Sequence, residues 1–290
     1  MYVIKLKNLL IVCAVILCII TGAAVGIPYA LSADSKAGLE HANQVPVIMY
    51  HSVLKSAKKG DKYVITPDDF EADLKYITAH GYTPVLMQDL VDYAYNQKPL
   101  PPKPIILTFD DGFYNNYTYV YPLLKEYDAR AVISIVGAYT DLYTESQDKN
   151  PNYGYLAWED CKELHDSYLV EIQNHSDNFH QVNASRQGCK KKRGESTASY
   201  EKAFKDDIGL MQEKIKEHLG FTPTTYTYPF GMISDESTQY VKDLGFKASL
   251  SCEEGMNYLT GDPEELYRLK RFLRPQNKSV EQILKKYEKL

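Results

Sequence analysis

The chain has 290 residues and a formal charge of −5 at pH 7. That length suits one large domain or two small ones. An acidic balance gives no reason to expect a nucleic-acid partner. Five cysteines with no C-x-x-C spacing exclude a zinc-finger-like framework, and the odd number leaves at least one thiol free. Unpaired cysteines acting as small hydrophobes are the simpler reading.

Lys5 and Lys7 precede an uncharged stretch from Asn8 to Ala33, long enough to cross a bilayer. We expect a signal peptide or a signal anchor over 1–33, with the basic residues on the cytoplasmic side. Residues 34–44 read as a polar linker, and 45–290 as the functional domain. The expected location is extracytoplasmic, anchored at the cell surface or secreted.

Within the domain, Val45 to Tyr50 is apolar and predicts a buried strand. Thr66-Pro67 predicts a helix start, with Thr66 as N-cap, Pro67 at the first helical position and Gly81 as the stop. A short strand at Thr83 to Leu86, a helix at Gln88 to Asn96 and a proline-rich connection lead to Pro104-Ile105-Ile106-Leu107, a buried strand. The alternation continues with a strand at Ala131 to Val136, a helix at Trp158 to Ser167 and a strand at Leu169 to Gln173. Ser199 to Leu219 predicts a long amphipathic helix. A strand at Thr225 to Tyr228, a helix at Glu236 to Leu244 and a strand at Phe246 to Leu250 follow. Ser279 with Gln282 is a capping box for a last helix. Strands alternating with helices imply a parallel sheet, and catalytic groups at strand ends suit an α/β barrel.

The chemistry lies at two of those strand ends. Asp110 and Asp111, in Thr108-Phe109-Asp110-Asp111-Gly112, are adjacent carboxylates, costly to bring together without a nearby cation. One can ligate a metal while the other serves as a base. Asn174-His175-Ser176-Asp177-Asn178-Phe179-His180 follows the second strand. Two histidines and an aspartate make an open three-ligand site for zinc or a similar metal. Histidines five apart do not share a helix face, so this segment reads as a loop. His51 follows a buried strand as Asp110 does, and emerges on the same rim of a parallel barrel.

These motifs resemble those of NodB-type polysaccharide deacetylases, carbohydrate esterase family 4. The five-residue histidine spacing, with Val45 to His51, is similar to the branch that acts on poly-N-acetylglucosamine. The resemblance covers roughly residues 44 to 275. It implies a distorted parallel (β/α) barrel of about seven strands. It also implies Asp110 as base and a metal site of Asp111, His175 and His180. The metal would be one divalent ion, zinc first, with cobalt or nickel as alternatives. The implied reaction is hydrolysis of N-acetyl groups on a cell-surface polysaccharide of N-acetylglucosamine.

Tyr226-Thr227-Tyr228-Pro229-Phe230-Gly231 is similar to the family's third motif, but Thr227 stands where the family has arginine. The motif would place Tyr228, Pro229 and Phe230 at the substrate and oxyanion position. Arg271, then Arg268, are the candidates to replace the missing arginine. Three residues apart on a strand, only one can point inward. The family's late histidine is also absent, and His51 is a candidate for the general acid or for orienting substrate. A haloacid-dehalogenase-type phosphatase would need Asp-x-Asp and is disfavoured. The alternative is a catalytically weak glycan-binding member of the same fold.

Overall fold

The structure, a computed structural model, describes residues 42–182 and 186–287. The expected signal or anchor at 1–33 lies outside the described residues. Among the described residues no helix is long and apolar enough to cross a membrane.

In chain order the strands are β1 (Asn43–Val45), β2 (Val47–Tyr50), β3 (Ser52–Val53), β4 (Val64–Ile65), β5 (Thr83–Pro84) and β6 (Pro104–Asp111). They continue with β7 (Ala131–Ile135), β8 (Val170–Asn174), β9 (Thr225–Thr227), β10 (Ala248–Leu250), β11 (Asn257–Leu259) and β12 (Phe272–Leu273). Seven of them form one parallel path in the order β10-β9-β8-β7-β6-β2-β12. The two ends of that path meet at a single parallel bridge, Leu250 to Leu269. Helices connect most of the strands, as parallel pairing requires. The result is a curled seven-stranded parallel sheet consistent with a distorted (β/α) barrel.

Strand alternation sorts the side chains onto two faces of the sheet. Ile105, Leu107, Phe109, Ile133, Ile172 and Phe272 pack outward against the helices. Val47, Ile106, Val132, Leu250 and Leu269 fill the inner face. Because both faces of β6 are covered, its sequence is a continuous apolar run rather than an alternating one. The polar residues that share the inner parity of β6 are Thr108 and Asp110.

Local signals set most helix boundaries. Thr66 accepts the Asp69 N–H and Asp69 reaches back to the Thr66 N–H, a reciprocal cap on Pro67–Ala79. Ser196, not Ser199, caps the long helix, which therefore runs Thr197–Leu219 and stops at Gly220 in a left-handed conformation. Ser279 and Gln282 cap Val280–Leu284 reciprocally.

Two features depart from the sequence expectation. The polar linker ends earlier than position 44, because Asn43 and Gln44 pair antiparallel with Leu259 and Tyr258. Gly137–Ser146 is helical without a side-chain cap. Its first N–H groups are satisfied from a distant loop, Gly137 donating to Ser176 O and Ala138 to Asp177 O. Trp158 is a packing residue. It is 5 % exposed, stacks on His218 at 4.4 Å and donates Nε1–H to Asp141.

Candidate active site

The strand register puts the expected site residues on one rim. Tyr50 pairs with Phe109, so His51 and Asp110 leave neighbouring strands at the same level. Asp111 pairs with Ile135, and Ile135 with Asn174, so His175 follows at the next position across the sheet.

Asp110 is 2 % exposed and faces inward. Arg271, fully buried just before β12, grips it in two places: Nη1 to Oδ1 at 2.7 Å and Nη2 to Oδ2 at 2.8 Å. The guanidinium is itself fixed by Nε–H to Ser251 O at 2.7 Å and by Nη1 to Thr108 Oγ1 at 3.2 Å. Burial opposes ionisation of Asp110, yet the Arg271 charge and hydrogen bonds outweigh it and hold the carboxyl below the usual range. Arg268 is exposed, with φ 64°, and does not line the cleft.

Asp111 turns out of the strand with φ 76° and meets both histidines through Oδ1. His175 Nε2 is 3.4 Å away and His180 Nε2 2.9 Å, and the two imidazole rings have centroids 5.0 Å apart. The three ligand atoms lie within 4.8 Å of one another. His175 Nδ1 contacts the Thr227 carbonyl at 2.8 Å, and a carbonyl only accepts. Nδ1 therefore carries the proton, and in neutral His175 the Nε2 lone pair faces the Asp111 carboxylate. Lone pair against lone pair is repulsive unless a proton or a metal cation lies between them, and the three clustered donors fit a divalent metal.

His51 Nε2 stands 4.0 Å from Asp110 Oδ2. Burial pushes its pKa down, partly offset by the two aspartates. Its ring meets Tyr63 edge-on at 4.8 Å, and its backbone carbonyl accepts from Asn116 Nδ2 at 3.0 Å.

Part of the third motif lies elsewhere than its resemblance implies. Tyr228 is fully buried and its hydroxyl accepts from Ser237, so its side chain belongs to the core behind the sheet. Pro229 is also buried and does not line the cleft. Phe230 does. It adopts φ 56°, packs its ring at a tilt against His180 with centroids 4.3 Å apart and is 43 % exposed. Thr227 points its hydroxyl at Ser134 (2.7 Å), so it cannot replace the family's arginine and serves through its carbonyl instead.

His51, Asp110, Asp111, His175, His180, Phe230 and Arg271 open onto a cleft of about 720 Å³, which Tyr63, Phe113, Asn152, Cys252 and Glu254 also line. Sequence reasoning missed Tyr63, Asn116, Cys252 and the Thr227 carbonyl. Asn115-Asn116, just after the Asp-Asp-Gly turn, was a legible turn signal. Its partners, His51 and Val53, lie more than sixty positions away.

A curled parallel α/β sheet carries paired aspartates and two histidines on one rim, a set whose donors could hold a metal ion. The family model described as polysaccharide deacetylase matches residues 97–249, just over half of the chain. The chain belongs to that family. It is 26% identical over 232 residues to the poly-beta-1,6-N-acetyl-D-glucosamine N-deacetylase of Escherichia coli (strain K12). That match covers 74% of this chain but only 34% of the relative, so the chain spans about a third of that protein's length. The enzyme of the same name from Staphylococcus aureus (strain MSSA476) is 21% identical, with 73% of each chain covered. Among solved structures, a de-N-acetylase from Aggregatibacter actinomycetemcomitans superposes with TM-score 0.72 at 25% identity, covering 84% of this chain and 99% of that one. The BpsB deacetylase domain from Bordetella bronchiseptica gives TM-score 0.64 at 26% identity, covering 81% and 95%.

Proposed function

We propose that this protein hydrolyses N-acetyl groups from N-acetylglucosamine units of a cell-surface polysaccharide, with a divalent metal held by Asp111, His175 and His180. The observation that carries the reading is the Asp110–Arg271 pair beside the Asp111–His175–His180 cluster, in one cleft. The named activity of the E. coli and S. aureus relatives supports the substrate class.

Bound there, a divalent ion supplies Lewis acidity toward the acetamide carbonyl and the attacking water. Asp110, kept ionised by Arg271, takes the proton from that water. His51 is neutral in the resting site because burial disfavours its charged form. It therefore has to receive a proton, and Asp110 at 4.0 Å is the near source. His51 then hands that proton to the departing amine, giving acetate and a glucosamine unit. The backbone N–H near Phe230, a residue that lines the cleft, is the candidate oxyanion contact.

We further propose that the domain works outside the cytoplasmic membrane, tethered or exported through residues 1–33. The activity is tested by acetate release from N-acetylglucosamine oligomers and from peptidoglycan, with and without added Zn²⁺ or Co²⁺. Metal-stimulated release from the oligomers supports the reading. Metal binding without acetate from either polymer favours the weak glycan-binding alternative.

A further inference from the structure

The two histidines of the cluster are joined by a non-helical span that takes its bonds from outside itself. Asn174 Oδ1 accepts the Ser176 N–H at 2.8 Å, and Ser176 has φ 80°. Gly137 N–H donates to Ser176 O, Ala138 N–H to Asp177 O, and the Tyr139 hydroxyl to His180 O. The Asp177 side chain pairs with Lys214, which also holds Asp141. Gly137 is required for this approach, since a Cβ there would stand 2.3 Å from Asp177 Oδ1.

The remaining anchor is Asp207, on the helix Thr197–Leu219. One of its oxygens accepts the Asp177 N–H at 3.0 Å and the other the Asn178 N–H at 2.9 Å. Its neighbours Phe204 and Ile208 are fully buried in the core behind the sheet, which fixes the helix face that carries it. Burial pushes the Asp207 carboxyl up to about 6, against the lowering effect of those N–H bonds. A helix-borne carboxylate accepting two consecutive N–H groups leaves the loop little freedom to rotate.

We propose that Asp207 is a positioning residue for the metal centre, its carboxylate fixing the loop that presents His180 to Asp111. This rests on the metal reading above. Asp207→Asn tests it, because the amide keeps the shape but can accept through one atom only and sets its NH₂ against the second backbone N–H. Partners that orient metal ligands typically contribute 10–100-fold to affinity. Zinc affinity of the purified apoprotein, measured by chelator competition, is expected to fall by about that factor in Asp207→Asn. Its metal-free Tm should stay within a few degrees of wild type, and kcat should recover at saturating zinc. Asp206→Asn, one residue away and exposed, should match wild type.

Wild-type zinc affinity in Asp207→Asn overturns the proposal. Failure of the wild-type protein to bind zinc overturns instead the metal reading on which it rests. Should Asp207→Asn not fold, Gly137→Ala displaces the same loop from the opposite side, and unchanged zinc affinity in that variant overturns the proposal equally.

Discussion

Arg271→Ala removes a fully buried guanidinium and leaves the Asp110 carboxylate buried without its partner. Two consequences follow from one geometry. Breaking a buried ion pair by deleting one member typically costs about 3–5 kcal/mol. For a domain of this size each kcal/mol lowers Tm by about 2–4 °C. The second consequence is on Asp110 itself. Burial is the largest influence on its pKa and acts upward, and Arg271 is the largest opposing one. Unit charges about 4 Å apart interact by about 4 kcal/mol near a protein surface, and an adjacent arginine commonly lowers an aspartate by about 1–3 units. Without Arg271 the acid limb of the kcat/KM profile should therefore move to higher pH. The linkage sign agrees, because a depressed carboxyl contributes stability present above its unfolded pKa and lost on acidification. That contribution should vanish in the variant. Arg271→Lys keeps charge but not the two-point grip and should recover part of the pH shift and less of the rate, since a misplacement of about 1 Å can cost around 10²-fold. The assay is acetate release across pH 5–9, with Tm measured in parallel. Arg268→Ala, at an exposed position, should be silent. An unshifted acid limb in a folded Arg271→Ala protein would refute the argument.

Other outcomes follow from the same contacts. Asp110→Asn should lower turnover by roughly 10²–10⁴-fold while metal affinity stays near wild type, whereas Asp111→Asn should lose metal. The reverse pattern, read by metal titration, exchanges the two roles. Glu171, on the inner face of β8, is pushed to about 7 by burial, from 4.5. The folded state then holds a proton that the unfolded chain has lost, so stability declines as pH rises from about 4.5 to 7. Glu171→Gln should gain on the order of 1–3 kcal/mol over wild type above pH 7 and converge with it near pH 4.5, in denaturant melts. Equal pH slopes for the two proteins would remove Glu171 as the cause. Fractionation of host cells should place the full chain with membranes and its domain within reach of external protease. A shortened form in the medium, beginning near Asp34, would instead mean cleavage and release.

Much of the site was legible because it rests on local rules. An apolar run closed by Asp110-Asp111-Gly112 can only be a covered strand with its charges at the end, since carboxylates in mid-strand would lack water or partners. Thr66, Gly220 and the Ser279–Gln282 pair act on N–H and C=O groups within four residues, so they mark helix ends without reference to the fold. Alternation likewise allowed only one of Arg268 and Arg271 to face inward.

Which one did so was a tertiary decision. It follows from Leu269 bridging Leu250 and Phe272 pairing with Ile48, which set the parity that sends Arg271 to an aspartate 161 positions away. Tyr228 shows the opposite case. Its motif suggests a role in the cleft, but strand alternation turns its ring into the core, while the left-handed conformation of Phe230 beyond the strand end leaves that ring at the site. The Thr227 carbonyl that sets the tautomer of His175 carries no side-chain signature at all. The sequence determined which chemistry was present and where each strand would end, because those depend on neighbours in the chain. The tertiary structure alone decided which charges and carbonyls meet, because backbone pairing between strands far apart in sequence sets the register in which they face one another.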